Sequence, residues 1–151
     1  MAETTKTGNE YSSAFDDKGN IIFSKTGEET QIAFKASEIA RLKNTIFTHT
    51  HPSSNSFSAD DLAFAANAKL KEMRVVSEKY KYSIRPKKTW GDYHALFNGH
   101  KKAYDDLYPE YYALVRIKGT MTPAEASWEH LHKTLLAVAK RFNLIYKREV
   151  R

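Results

Sequence analysis

Two histidines set two residues apart, His49 and His51, stand at the end of the apolar run Asn44-Thr45-Ile46-Phe47. In an extended strand, side chains at i and i+2 share a face, so both imidazoles aim at one point. Pro52 removes a backbone donor and fixes φ, which ends the strand there. A loop of small polar residues follows, and Ser58-Ala59-Asp60-Asp61 then opens a helix. A carboxylate returned by that loop to the two imidazoles makes a three-ligand site for a divalent ion with a fourth position open. That is the donor set of a catalytic zinc rather than a structural one. With 0 cysteines in the chain, a metal has to be held by His and carboxylate.

His49-Thr50-His51-Pro52 followed by Ser58-x-x-Asp61 resembles the signature of the JAB/MPN family, the JAMM zinc metalloproteases. That family includes deubiquitinating isopeptidases and the bacterial RadC-type proteins. The resemblance covers the first half of the chain, from Glu10 to about Pro86. It departs from the family in one respect: the spacer from Pro52 to Phe57 is one residue shorter than usual. Short-spacer versions also resemble segments of phage head-morphogenesis proteins, which implies a phage or prophage setting.

The resemblance implies that His49, His51 and Asp61 hold Zn²⁺. It also implies that an upstream glutamate activates the attacking water. Glu10, just ahead of Tyr11-Ser12-Ser13-Ala14-Phe15, occupies that place best; Glu28, Glu29 and Glu38 are alternatives. The Ser58 hydroxyl then stabilises the oxyanion of an amide under attack. The activity implied is hydrolysis of a peptide or isopeptide bond in a protein or peptide substrate. Ser-x-x-Asp before an apolar run is equally a helix capping box. On that reading the chain is a catalytically inactive MPN-type module for protein interaction or particle assembly. His130 and His132 fall two apart on a helix and diverge by about 200°, so they cannot share an ion. His94 and His100 have no evident partner and belong to the surface or the core edge.

Stepping outward, the fold must deliver these groups. Glu10–Phe15 and Ile21–Ser24 read as strands joined by a turn at Gly19-Asn20, and 31–34 as a third short strand. Ser37 caps a helix to about Lys43, with Ile39, Ala40 and Leu42 inward. After the histidine strand comes a helix from Ala59 to about Met73 with a broad apolar surface. Val75–Ser77 and Lys81–Ile84 are further strands. Beyond Trp90 the chain turns helical: Tyr93–Asp106, Tyr108–Lys118, and a helix from Thr122-Pro123-Ala124-Glu125 to about Arg141. Residues 143–150 fit either a strand or a helix tail.

The fold class expected is α/β (α+β), a JAMM-like mixed sheet flanked by helices in three layers, with an extra helical C-terminal part. One domain spans 1–151, with its motif-bearing core at about 9–86 and its extension at about 87–151. The polar N-terminus lacks the apolar core of a secretory signal, and no run approaches a membrane span, so a cytoplasmic compartment is expected.

The 24 Lys and Arg against 18 Asp and Glu give a net charge of +6. These cations are scattered, with pairs at Lys87-Lys88, Lys101-Lys102 and Lys147-Arg148, which fits weak polyanion binding rather than specific recognition. Nucleic acid is therefore a secondary partner class. Tyr80 and Tyr82, between lysines, are expected to face the core rather than stack on bases.

Overall fold

The computed structural model describes residues 10–27 and 34–151. The proposed strand at 31–34, apart from Phe34, and the alternative bases Glu28 and Glu29 lie outside the described residues. The elements run β1 (Tyr11–Phe15), β2 (Ile21–Thr26), α1 (Ala36–Ala40), β3 (Ile46–Thr50), α2 (Ala59–Ala68), β4 (Glu72–Val76), β5 (Tyr80–Pro86), α3 (Tyr93–Arg116), α4 (Pro123–Phe142) and β6 (Leu144–Val150). They build an α+β fold on one mixed six-stranded sheet of order β2-β1-β3-β4-β5-β6. Only β3 and β4 run parallel, joined by the α2 crossover; the other neighbours are antiparallel.

Strand alternation divides the sheet into two unlike faces. Ala14, Phe47, Met73, Val75, Tyr82, Ile84 and Leu144 point to the face that carries the core. There they meet Leu62, Ala65 and Ala66 of α2, Leu96 of α3, and Leu135 and Val138 of α4. Ile39 of α1 packs against the same cluster, and Glu38 pairs with Lys25 of β2 at 3.0 Å. All four described helices thus lie on one side. The architecture is two layers where three were expected, because the opposite face is polar and buries no helix.

Several boundaries differ from the sequence reading. The α1 cap is Lys35, not Ser37, and Glu38 answers its backbone N–H at 2.9 Å. The helix stops at Ala40, which is exposed, whereas Leu42 beyond it is fully buried. α2 ends at Ala68 because Lys69 takes φ +53° and Leu70 N–H turns back to the Ala65 carbonyl. Met73, expected on that helix, is buried on β4 beside Phe47. The expected break near Leu107 is absent: α3 runs unbroken through Pro109. Proline costs one helical hydrogen bond, but Asp105 and Pro109 are both exposed, so the freed carbonyl is left to water.

Residues 144–150 form a strand. Asn143 at φ +58° closes α4, and β6 pairs with the whole of β5. Gly99 lets α3 and α4 approach, since a Cβ there would sit 2.4 Å from the Phe142 ring. Among the described residues, no helix is long and apolar enough to cross a membrane.

Candidate metal centre

The β1–β3 register pairs Ser12 with His49 and Ala14 with Phe47, residues of the core face. Continued two residues outward, the same register sets Glu10 opposite His51. His51 lies one residue past β3, yet its N–H still bonds the Val76 carbonyl at 3.0 Å, so it stays in the sheet. The turn 52–57 then brings the α2 N-terminus back over the two rings.

The three predicted ligands meet. His49 Nε2 lies 3.1 Å from His51 Nε2, 3.3 Å for His49 Nε2 to Asp61 Oδ1, and 3.5 Å for His51 Nε2 to Asp61 Oδ2. Nitrogen and oxygen ligands at ~2.0–2.1 Å from a tetrahedral zinc are themselves about 3.3–3.4 Å apart. The three separations bracket that edge, although the two carboxylate edges run to different oxygens. The donor chemistry also fits. His51 Nδ1–H donates to the Asn55 carbonyl at 3.0 Å, which leaves a bare Nε2 lone pair facing the centre. His49 Nδ1 is buried without a hydrogen bond of normal geometry; the nearby Arg74 carbonyl is the group that favours a proton there. These residues fit a divalent ion.

Without an ion, the same convergence is resolved by charge. Burial opposes ionisation of Asp61, but the two imidazoles hold its carboxyl well below the usual range. Burial likewise opposes a charge on His51, yet Asp61, the Asn55 carbonyl and Glu10 outweigh it and raise the pKa. For His49, burial wins over Asp61 and lowers the pKa. A proton on His51 is thus favoured over one on His49, and Asp61 is the partner that favours it.

Glu10 lines the same cavity, about 780 Å³ in volume, with His49, His51, Ser58 and Asp61. Its pKa is raised, first by burial and further by Asp61, against an opposing pull from His51. Glu10 is thus a half-buried carboxyl in the same cavity as the His49, His51 and Asp61 cluster. Glu38, the other described alternative, is held down by the Lys35 N–H and Lys25 and belongs to the α1 cap.

Ser58 caps α2. Its Oγ accepts the Asp61 N–H at 3.1 Å, and its own N–H donates to Asp61 Oδ2 at 2.8 Å. The capping box and the ligand cluster are thus both present and share Asp61. The Ser58 O–H is exposed and has no acceptor among the described residues, so it is free to donate into the cavity.

Groups not singled out in the sequence hold the loop between His51 and Ser58. Tyr82 O–H donates to the Ser54 carbonyl at 2.7 Å, and Ser127 O–H to Asn55 Oδ1 at 3.0 Å. His100 Nε2–H donates to the Phe57 carbonyl at 3.0 Å, which gives this residue the partner it lacked in the sequence. Ser56 Oγ and His132 Nδ1 each lie 3.0 Å from the Tyr146 hydroxyl. Four side chains from β5, α3, α4 and β6 thus clamp one short loop, and His132 holds the fourth of them, Tyr146. Their only sequence signal was a polar residue on an otherwise apolar face, too common to single out. His130 is apart from this, buried between Tyr104 and Tyr111 and bonded to the Tyr104 carbonyl at 2.7 Å.

No family model matches the chain, and comparison with curated proteins and with solved structures finds no significant match in either.

Proposed function

We propose that the chain is a zinc-dependent peptidase or isopeptidase of JAMM-like character, acting on a protein or peptide substrate. The observation that carries this reading is the convergence of His49, His51 and Asp61 beside Glu10 in one cavity. When bound, the ion supplies a Lewis acid that polarises a carbonyl and acidifies water. His49, His51 and Asp61 are its ligands, and the Asn55 carbonyl and Ser58 N–H fix the orientation of two of them. Glu10 accepts a proton from the attacking water and returns it to the departing amine. The Ser58 hydroxyl donates to the oxygen of the tetrahedral adduct. Phe34, Phe47, Phe64, Met73 and Leu131 give the cavity its apolar lining, which excludes water from that side.

The capping box favours a second reading, in which Asp61 serves only the helix and the domain is an inactive interaction module. The two separate on Glu10. The zinc-loaded protein is incubated with a defined peptide mixture and with lysine-linked isopeptides, and cleavage is read by mass spectrometry. We expect cleavage by the wild type and none by Glu10→Gln, with zinc retained in both. Cleavage by Glu10→Gln at the wild-type rate refutes the base assignment; absence of cleavage by the wild type leaves the interaction module.

A further inference from the structure

The sheet face opposite the metal centre is lined by strand residues alone around a cavity of about 610 Å³. The strand pairings align one residue from each strand into a single transverse row: Ser24, Ser13, Thr48, Arg74, Ser83 and Lys147. At about 4.8 Å per strand the row is about 24 Å long, with its two cations about 10 Å apart. It contains four hydroxyls, two cations and no acid. The rows on either side differ. One carries Glu72 and Arg85, the other Lys81 and Glu149, so each pairs an acid with a base. Arg74 Nε bonds Glu72 at 2.6 Å, while its terminal nitrogens have no partner among the described residues.

We infer that this face binds the phosphate backbone of single-stranded nucleic acid laid across the strands. Arg, Lys and Ser/Thr hydroxyls are the side chains that contact phosphate. The acids on both flanks confine an anionic chain to one lane, which admits one backbone and disfavours the two of a duplex. Of the aromatic residues lining the cavity, Tyr82 belongs to the core face and Phe15 to a flanking row, so no ring stands in the lane itself and recognition is independent of sequence. Binding is weak, on the order of 10⁻⁵ M, and strongly salt-dependent, as for other sequence-independent contacts. The surface is separate from the metal centre and does not depend on its activity.

The test is fluorescence anisotropy with a labelled single-stranded DNA 20-mer of mixed sequence, at 25 and 200 mM salt. We expect binding by the wild type, weakened at least tenfold in Arg74→Gln/Lys147→Gln. Lys101→Gln/Lys118→Gln, which removes the same charge from α3 and its C-terminal end, changes binding less than twofold. Ser24→Asp places an acid in the lane at an exposed position without touching a cation, and it weakens binding severalfold. This variant carries the test if the double variant does not fold. A duplex of equal charge binds more weakly than the single strand. The inference is overturned by no binding at 25 mM salt, by equal losses in the sheet and helix variants, by a duplex that binds tighter, or by polyglutamate displacing the DNA at equal charge concentration. The last result assigns the face to an acidic protein segment.

Discussion

Successive residues of the same strands build two surfaces of opposite chemistry. On β3, Phe47 and His49 face the helices while Ile46, Thr48 and Thr50 face away. The cavity on the helix side carries Glu10, Asp60 and Asp61, and none of its lining residues is Lys or Arg. The cavity on the bare side carries Arg74, Lys81, Arg85 and Lys147 against Glu72 and Glu149. In a chain of net charge +6, the first surface is the anomaly. Carboxylates gathered without cations repel one another unless a proton or a metal ion lies among them, whereas exposed cations over a solvated sheet cost little. The difference teaches how the two faces can differ in affinity: the acidic convergence is costly and held by many partners, as a tight ion site requires, whereas the basic face is exposed and cheap to maintain, as weak and salt-sensitive contacts require.

The sharpest way to break the comparison is at Asp61, which belongs to both the ligand cluster and the α2 cap. Asp61→Ala should abolish zinc binding and lower stability by about 1 kcal/mol through the lost bond from the Ser58 N–H. Asp61→Asn keeps an oxygen for the Ser58 N–H, so the helix cap survives while the charge that favours the His51 proton is lost; zinc uptake should fall steeply, and thermal melts of the metal-free protein should lose their decline on the alkaline side. Next in size is Glu10→Gln, with an expected loss of 10²–10⁴ in hydrolysis rate at unchanged zinc content. Tyr146→Phe tests the clamp from β6. Removing the hydroxyl shared by Ser56 and His132 should cost about 1–2 kcal/mol and weaken zinc binding several-fold, because the loop carrying the Asn55 carbonyl is released. Arg74→Gln/Lys147→Gln, on the other face, should leave zinc content and melting temperature nearly unchanged.

The pH dependence of the metal-free protein follows from the signs of the shifts. His51, raised above 6.5, contributes stability present below that value and lost as pH rises through its folded pKa. His49, lowered below 6.5, contributes stability present above that value and lost as pH falls through its folded pKa. Asp61, lowered well below 3.8, contributes stability present above that value and lost as pH falls below it towards its folded pKa. Melting temperature without metal should therefore peak near pH 6.5, and the alkaline decline should vanish in His51→Gln. Zinc should reverse the alkaline limb, because it replaces the His51 proton and binds better as that proton leaves. A flat profile from pH 5 to 8 in the metal-free wild type contradicts the charge arrangement.

The convergence of His49 with His51 was legible because strand period and a proline stop are local rules, and His49, Thr50, His51 and Pro52 obey them within four residues. Glu10 was legible only in combination with the family resemblance; its position opposite His51 depends on a register between distant strands. Helix ends were misread wherever the decisive residue was a poor advertiser. Lys69 adopts a left-handed cap that glycine or asparagine would have announced, and Pro109 sits inside a helix where exposure makes it tolerable. The bare sheet face was not legible at all. Its lysines and arginines are scattered through β4, β5 and β6 and become a surface only by strand pairing. The clamp on the loop 52–57 likewise joins residues as far apart as Ser56 and Tyr146.

The most direct test of the central claim is the zinc content of the purified protein by elemental analysis, wild type beside His49→Ala and Asp61→Asn. One zinc per chain in the wild type, lost in His49→Ala and sharply reduced in Asp61→Asn with its helix cap intact, is the predicted result. A wild type that neither carries zinc nor takes it up at pH 8 would contradict the account and leave Ser58 and Asp61 as a helix cap alone.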